Sequence, residues 1–180
     1  MTITDIIEVI TIELDELKKE MPVIFERVKK DVRNIWGKKR AGIALGLVEM
    51  GMNQGGFIGF IGGMHIFPGT DIVMNTTPLK ILLEQQPYEI IWAYTYHILL
   101  HEYIHALGAL NEMLCQAITL KISEATFIEE DHPAIILAKK GIGAYFPNLH
   151  LIYAPRDFEL DRIPIEYIYG FDRGSYEHYS

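Results

Sequence analysis

The sequence predicts an α+β fold, in which a short set of strands lies between helical segments, one of them buried. Three observations predict it. Residues 3–36 carry apolar side chains at helical spacing, residues 41–75 change to short Gly-rich apolar runs, and residues 90–140 return to helical spacing. Strands gathered between two helical stretches read as α+β and not as alternating α/β units. With 180 residues, 49% of them apolar, residues 1–180 are expected to form a single domain with a sizeable core.

Residues 3–19 mix Ile, Leu, Glu and Asp at roughly helical spacing, with Thr4 or Asp5 as cap. A second run starts at Pro22 and carries Val23, Phe25, Val28, Val32, Ile35 and Trp36 before Gly37 ends it. The two runs make either one kinked helix or two helices, because proline breaks a helix interior but suits a first turn. Residues 41–48 and 57–61 read as strands. Met64-His65-Ile66-Phe67 and Asp71-Ile72-Val73-Met74-Asn75 follow, with Pro68-Gly69 as the turn between them. A meander of about four strands is expected. Thr76-Thr77-Pro78 leads into a short helix around 79–84, and Pro87 restarts the chain into the buried helix. Asn111 caps a helix over about 112–127. Asp131 caps another over about 132–140, with His132 and Pro133 in its first turn. From Tyr145 onward periodicity is lost, and residues 145–180 read as an irregular tail that wraps the domain. No repeat or low-complexity segment is visible.

The formal net charge is −8 and no basic stripe is present, which argues against nucleic acid and anionic membrane as partners. The one positive run, Lys38-Lys39-Arg40, reads as a solvated turn. Cys115 is the single cysteine, so an internal disulfide and a paired-cysteine zinc site are both excluded. It falls on the apolar side of the 112–127 helix and reads as a small core residue. Met1-Thr2-Ile3-Thr4-Asp5 lacks the basic start of a leader, and no apolar stretch reaches the ~18 residues that span a bilayer. A cytoplasmic location is expected.

The chemistry is concentrated in His101-Glu102-Tyr103-Ile104-His105. His101 and His105 lie four apart and stand one above the other on a helix face, a spacing at which two imidazoles hold one zinc ion. Glu102 is turned roughly 100° away and can reach a water on that ion. The preceding residues, 90–100, contain no Pro or Gly and are apolar on nearly every side, so the motif lies on a buried helix. Two histidines and a glutamate inside a core helix are costly without a role. Gly108 stops that helix. His97 extends the series, but histidines at i, i+4 and i+8 span about 12 Å, too far to share one ion. It reads as a core residue or as a support for the two ligands.

This stretch resembles the HExxH signature of the zincin metallopeptidases, and with Gly108 it also matches the longer form HExxHxxG. The likeness covers about residues 22–127. The whole chain is similar to small, uncharacterised archaeal zincin-like proteins carrying HEYxH, LG, a glutamate and a later DHP. The resemblance implies a zincin-like fold: a small twisted mixed sheet packed on a backing helix and a buried HExxH helix, with further helices and an irregular C-terminal tail. It also implies a zinc ion held by His101, His105 and a third group, with Glu102 as general base. In the HExxHxxGxxH form the third histidine would fall on Asn111, whose neutral amide is a poor zinc ligand. Glu112 is the leading third ligand. Glu124, at a spacing similar to that of thermolysin-like relatives, and His132 are the alternatives. The resemblance further implies an extended peptide or unfolded protein as substrate, bound along an edge strand for which Asp71–Asn75 is the positional match. An oxyanion-stabilising group is expected among His150, Tyr153, Arg156, Tyr167 and Tyr169. Two other classes compete with a peptidase. One is a zincin-like module that binds metal without hydrolysis, and the other a metal-dependent hydrolase of non-peptide bonds. The sequence leaves the oligomeric state open.

Overall fold

Leu17, Met21, Ile24, Phe25, Val28 and Val32 form one buried stripe along α1, a single helix spanning Ile3–Trp36. The computed structural model describes residues 3–50, 60–146, 149–154 and 163–171, with side chains for 14–50 and from 61 onward. The two expected helical runs are thus one helix with Pro22 in its interior. Proline forfeits a backbone hydrogen bond there. Met21 and Phe25, both fully buried, hold the helix to the core on either side of that break. Val23 and Ile35, expected on the apolar face, are exposed, and Ile24 takes the inward position. Asp31 ties α1 to the rest of the core: it accepts from Tyr96 at 2.7 Å and from Arg27 at 2.9 Å.

The strands are β1 (Ala44–Val48), β2 (Phe60–Ile61), β3 (Gly63–His65), β4 (Asp71–Asn75), β5 (Leu151–Ile152) and β6 (Glu166–Tyr167). Four of them form a mixed sheet in the order β3-β4-β1-β6, and β2 pairs with β5 separately. The expected meander is only partly present. β3 and β4 form an antiparallel hairpin, but β1 and β4 are parallel, with Leu45 beside Ile72 and Leu47 beside Met74. Parallel neighbours require a crossover between them, and strand direction is not written into apolar patterning. β4 is consequently an interior strand. The edge strand on this side is β3, which corrects the assignment of Asp71–Asn75 as the edge.

The sheet is apolar on both faces. Leu45, Leu47, Ile72 and Met74 face the helices, while Val48, Met64 and Val73 face a smaller cluster completed by Ile152, Ile163 and Ile165. The C-terminal segment is therefore not wholly irregular: it supplies β5 and β6 and covers the second face.

Asn75 joins these parts. Its side chain is fully buried, accepts from Met50 N at 3.1 Å and Thr77 N at 3.0 Å, and donates to the Ile61 carbonyl at 2.8 Å. The Thr77 bond caps α2, which spans Thr76–Gln85 and so starts three residues before position 79. The helix α3, Tyr88–Ala106, runs through the centre of the core, with fifteen of its residues buried. Arg40 does not belong to a freely solvated turn. Its guanidinium donates to the Ala106 carbonyl at 2.7 Å and closes the C-terminus of α3. Gly108, at φ +108°, turns the chain into α4 (Glu112–Thr126), whose N-cap is Asn111. The helix α5, Pro133–Lys140, is capped by His132 and not by Asp131: His132 Nδ1 accepts from Ala134 N at 3.1 Å. Among the described residues, no helix is long and apolar enough to cross a membrane.

Candidate metal centre

His101 and His105 project from the last turns of α3, and their rings lie 4.8 Å apart, centroid to centroid. The turn at 107–111 brings the first residue of α4 across them. Glu112 Oε1 stands 2.7 Å from His101 Nε2, and Oε2 stands 3.1 Å from His105 Nε2. Geometry makes this possible because the positive φ of Gly108 reverses the chain within five residues and Asn111 starts the next helix at once.

The two ring contacts differ. Glu112 Oε2 lies 3.1 Å from His105 Nε2, which donates to it only when that nitrogen carries a proton. The His105 Nδ1–H donates to the Ala109 carbonyl at 2.7 Å, which fixes the ring with Nε2 facing the carboxylate. His101 is more buried and less satisfied. Neither of its ring nitrogens has a hydrogen-bond partner among the described residues, and Glu112 Oε1 is also unpartnered despite the short approach. With its Nδ1–H committed to Ala109, a neutral His105 turns a lone pair at Nε2 toward the carboxylate, and His101 and Glu112 Oε1 have no hydrogen-bond partner, as suits a cation between them. Bound zinc places nitrogens at about 2.0–2.1 Å and carboxylate oxygens at about 2.0–2.2 Å from the ion, so only small outward shifts are needed.

Burial pushes the Glu112 carboxyl up, but the two imidazoles outweigh it and hold it well below the usual carboxylate range. Burial lowers His105, and the hydrogen bond and charge of Glu112, with Glu102 and the Ala109 carbonyl, raise it overall. Glu102 lies beside the pair, 3% exposed, and burial raises its pKa against the opposing charge of both histidines. The backbone N–H of His65 donates to its carboxylate. Ile66 N pairs inward with Asp71 O on β4, so by strand alternation the His65 N–H points to the free edge of β3. Gly63 allows this approach: a β-carbon there would sit 2.7 Å from Ile98 Cγ2 and 3.0 Å from the Val73 carbonyl oxygen.

Two residues buttress the centre from behind. The Tyr153 ring stacks on His101 at 4.1 Å and 15°, and its hydroxyl shares a 3.0 Å hydrogen bond with His97 Nε2. Burial, with the charge of His101, pulls the His97 pKa down to about 3 and keeps it neutral. His97 therefore supports the site through Tyr153.

The other candidates lie elsewhere. Glu124 is twelve residues farther along α4, about 18 Å from Glu112, and pairs with Lys139 at 3.4 Å. His132 stacks on Phe127 at 3.9 Å and caps α5. Asn111 spends its side-chain oxygen on Leu114 N at 3.0 Å. Tyr167 and Tyr169 are exposed, with Tyr167 on the opposite edge strand β6 and its hydroxyl donating to Asp71 at 2.8 Å. His150 is exposed, and Arg156 lies outside the described residues.

Sequence reasoning assigned Cys115 to the core only. It is fully buried, and its sulfur and the ligand atoms of His101 and His105 all lie within 4.8 Å of one another. The signal available was its three-residue spacing from Glu112, which places both on one face of α4. No family model, no curated protein and no solved structure matches the chain.

Proposed function

We propose that the protein is a zinc-dependent hydrolase, and in the most specific form of this reading a peptidase. The observation that carries it is the approach of one carboxylate, Glu112, to within 2.7 and 3.1 Å of His101 and His105, with Glu102 buried beside them. The likeness of residues 101–105 to the zincin signature supports it. A bound zinc ion would polarise a carbonyl and bring the pKa of a water toward ~7.

The chain's own residues would do the rest. His105 is oriented by the Ala109 carbonyl and His101 by the Tyr153 ring. Glu102, whose proton affinity is raised by burial, accepts the water's proton and returns it to the leaving amine. The edge strand β3 offers main-chain groups beside Glu102 to an extended substrate. Tyr153 is a positioning residue, since its hydroxyl is engaged by His97.

Cleavage of a fluorescently labelled unstructured protein tests the reading. Glu102→Gln should keep about one zinc per chain and lose about 10²–10⁴-fold in rate. Activity within a fewfold of the parent would remove Glu102 from the chemistry. A second reading, a metal-binding module without hydrolysis, is favoured by Cys115, whose sulfur lies within 4.8 Å of the ligand atoms of both histidines. Zinc-loaded protein that cleaves nothing would select it.

A further inference from the structure

We propose that Cys115 is a metal ligand, so that the ion is held by two imidazole nitrogens and one thiolate, with the Glu112 carboxylate facing the same two histidines from the rim. The inference rests on the metal-binding part of the proposed function and adds a donor to it. Two independent observations carry it. The Cys115 sulfur lies within 4.8 Å of the ligand atoms of both histidines. His101, fully buried, offers two ring nitrogens that find no hydrogen-bond partner among the described residues.

Geometry allows the two imidazoles and the thiol to meet. His101 and His105 come from one end of α3, while Glu112 and Cys115 lie three residues apart on the facing side of α4. An ion about 2.3 Å from sulfur and about 2.1 Å from nitrogen leaves those two atoms up to about 4.4 Å apart, so a small side-chain adjustment closes the set. In the described state the thiol donates to the His101 carbonyl at 3.3 Å. Binding replaces that S–H: the sulfur–metal bond forms, the S–H bond breaks, and the proton leaves to solvent. No electron is transferred.

The consequence is a preference for thiophilic ions, with the fourth position left to the Glu112 carboxylate or to water. Glu112, with a side chain 39% exposed, is more accessible than either histidine. Hydrolysis would then require Glu112 to yield its place to water, whereas the thiolate stays in the core.

X-ray absorption at the zinc edge of the zinc-loaded full-length protein tests this without any variant. Sulfur scattering at about 2.3 Å, beside nitrogen or oxygen at about 2.0–2.2 Å, is expected. Cobalt titration supplies a second readout: the parent and Glu112→Gln should show a strong near-ultraviolet thiolate-to-cobalt band, and Cys115→Ser should bind cobalt without it. Stoichiometric metal bound to the histidines with only nitrogen and oxygen scattering would overturn the thiolate while leaving the proposed function intact. No metal bound at all would overturn both. Should Cys115→Ser fail to fold, the absorption data on the parent still decide the question.

Discussion

Glu112 Oε1 stands 2.7 Å from His101 Nε2, joining the end of one core helix to the start of the next. Ten residues separate the two in the chain, and the contact exists because Gly108 reverses the backbone between them. It makes the centre a product of two helices and one turn.

Zinc affinity should depend on this contact and not on the distant acids. Glu112→Ala is expected to weaken zinc binding at least about 100-fold, since even supporting residues around a metal cost 10–100-fold when removed. His101→Ala combined with His105→Ala should abolish stoichiometric binding, and Glu124→Ala or His132→Ala should leave affinity within about twofold. Competition with a chromophoric chelator measures all of these. Full zinc retention by the double histidine variant would end the metal assignment.

Tyr153 should act through its ring. Tyr153→Phe keeps the stack on His101 and loses the hydroxyl bond to His97. Zinc affinity close to the parent is expected for it. Tyr153→Ala removes the stack, and we expect roughly tenfold weaker zinc binding and a stability loss of about 2 kcal/mol from the space left behind. Equal zinc affinities for the two variants would deny the ring a positioning role.

Gly63→Ala should separate the edge strand from α3. A β-carbon would meet Ile98 Cγ2 at 2.7 Å, and the Val73 carbonyl at 3.0 Å cannot retreat within a paired sheet. A loss of about 1–3 kcal/mol in urea unfolding is expected. Ile98→Ala relieves the side-chain part of the clash alone. The double variant should therefore recover less than the Ile98 contact removes, and complete rescue would show that the carbonyl contact does not matter.

The α5 cap should be sensitive to acid. His132 Nδ1 accepts from Ala134 N, so protonating it destroys the cap. Burial lowers its folded-state pKa below the ordinary value of 6.5. A folded pKa below the unfolded one means that the unfolded chain binds the proton first. The contribution is complete above the ordinary value and declines as pH falls below it. His132→Asn, which can cap without titrating, should flatten that part of the stability–pH profile by about 1 kcal/mol. An unchanged slope between the two proteins would discard the cap as its source.

The sequence by itself determined the local structure and the chemical core of the site. The α+β class follows from the change of periodicity at residues 41–75. The helix carrying His101, Glu102 and His105, its stop at Gly108 and the cap at Asn111 follow from local sterics and hydrogen bonding, which act within a few residues. Glu112 was legible as a neighbour of the histidines for the same reason, because a tight turn leaves little freedom. Relationships that depend on distant segments needed the tertiary structure. The parallel pairing of β1 with β4, which makes β3 the edge, depends on the path of the crossover and not on the apolar content of either strand. The single helix through Pro22 is held by burial of Met21 and Phe25, which overrides proline's local penalty. Tyr153 comes to His101 from 52 residues away, a contact that no local pattern encodes. Cys115 reads as a core residue in the sequence because a buried thiol and a buried ligand differ only in what faces them. Folding α4 back against α3 places its sulfur within reach of two imidazoles.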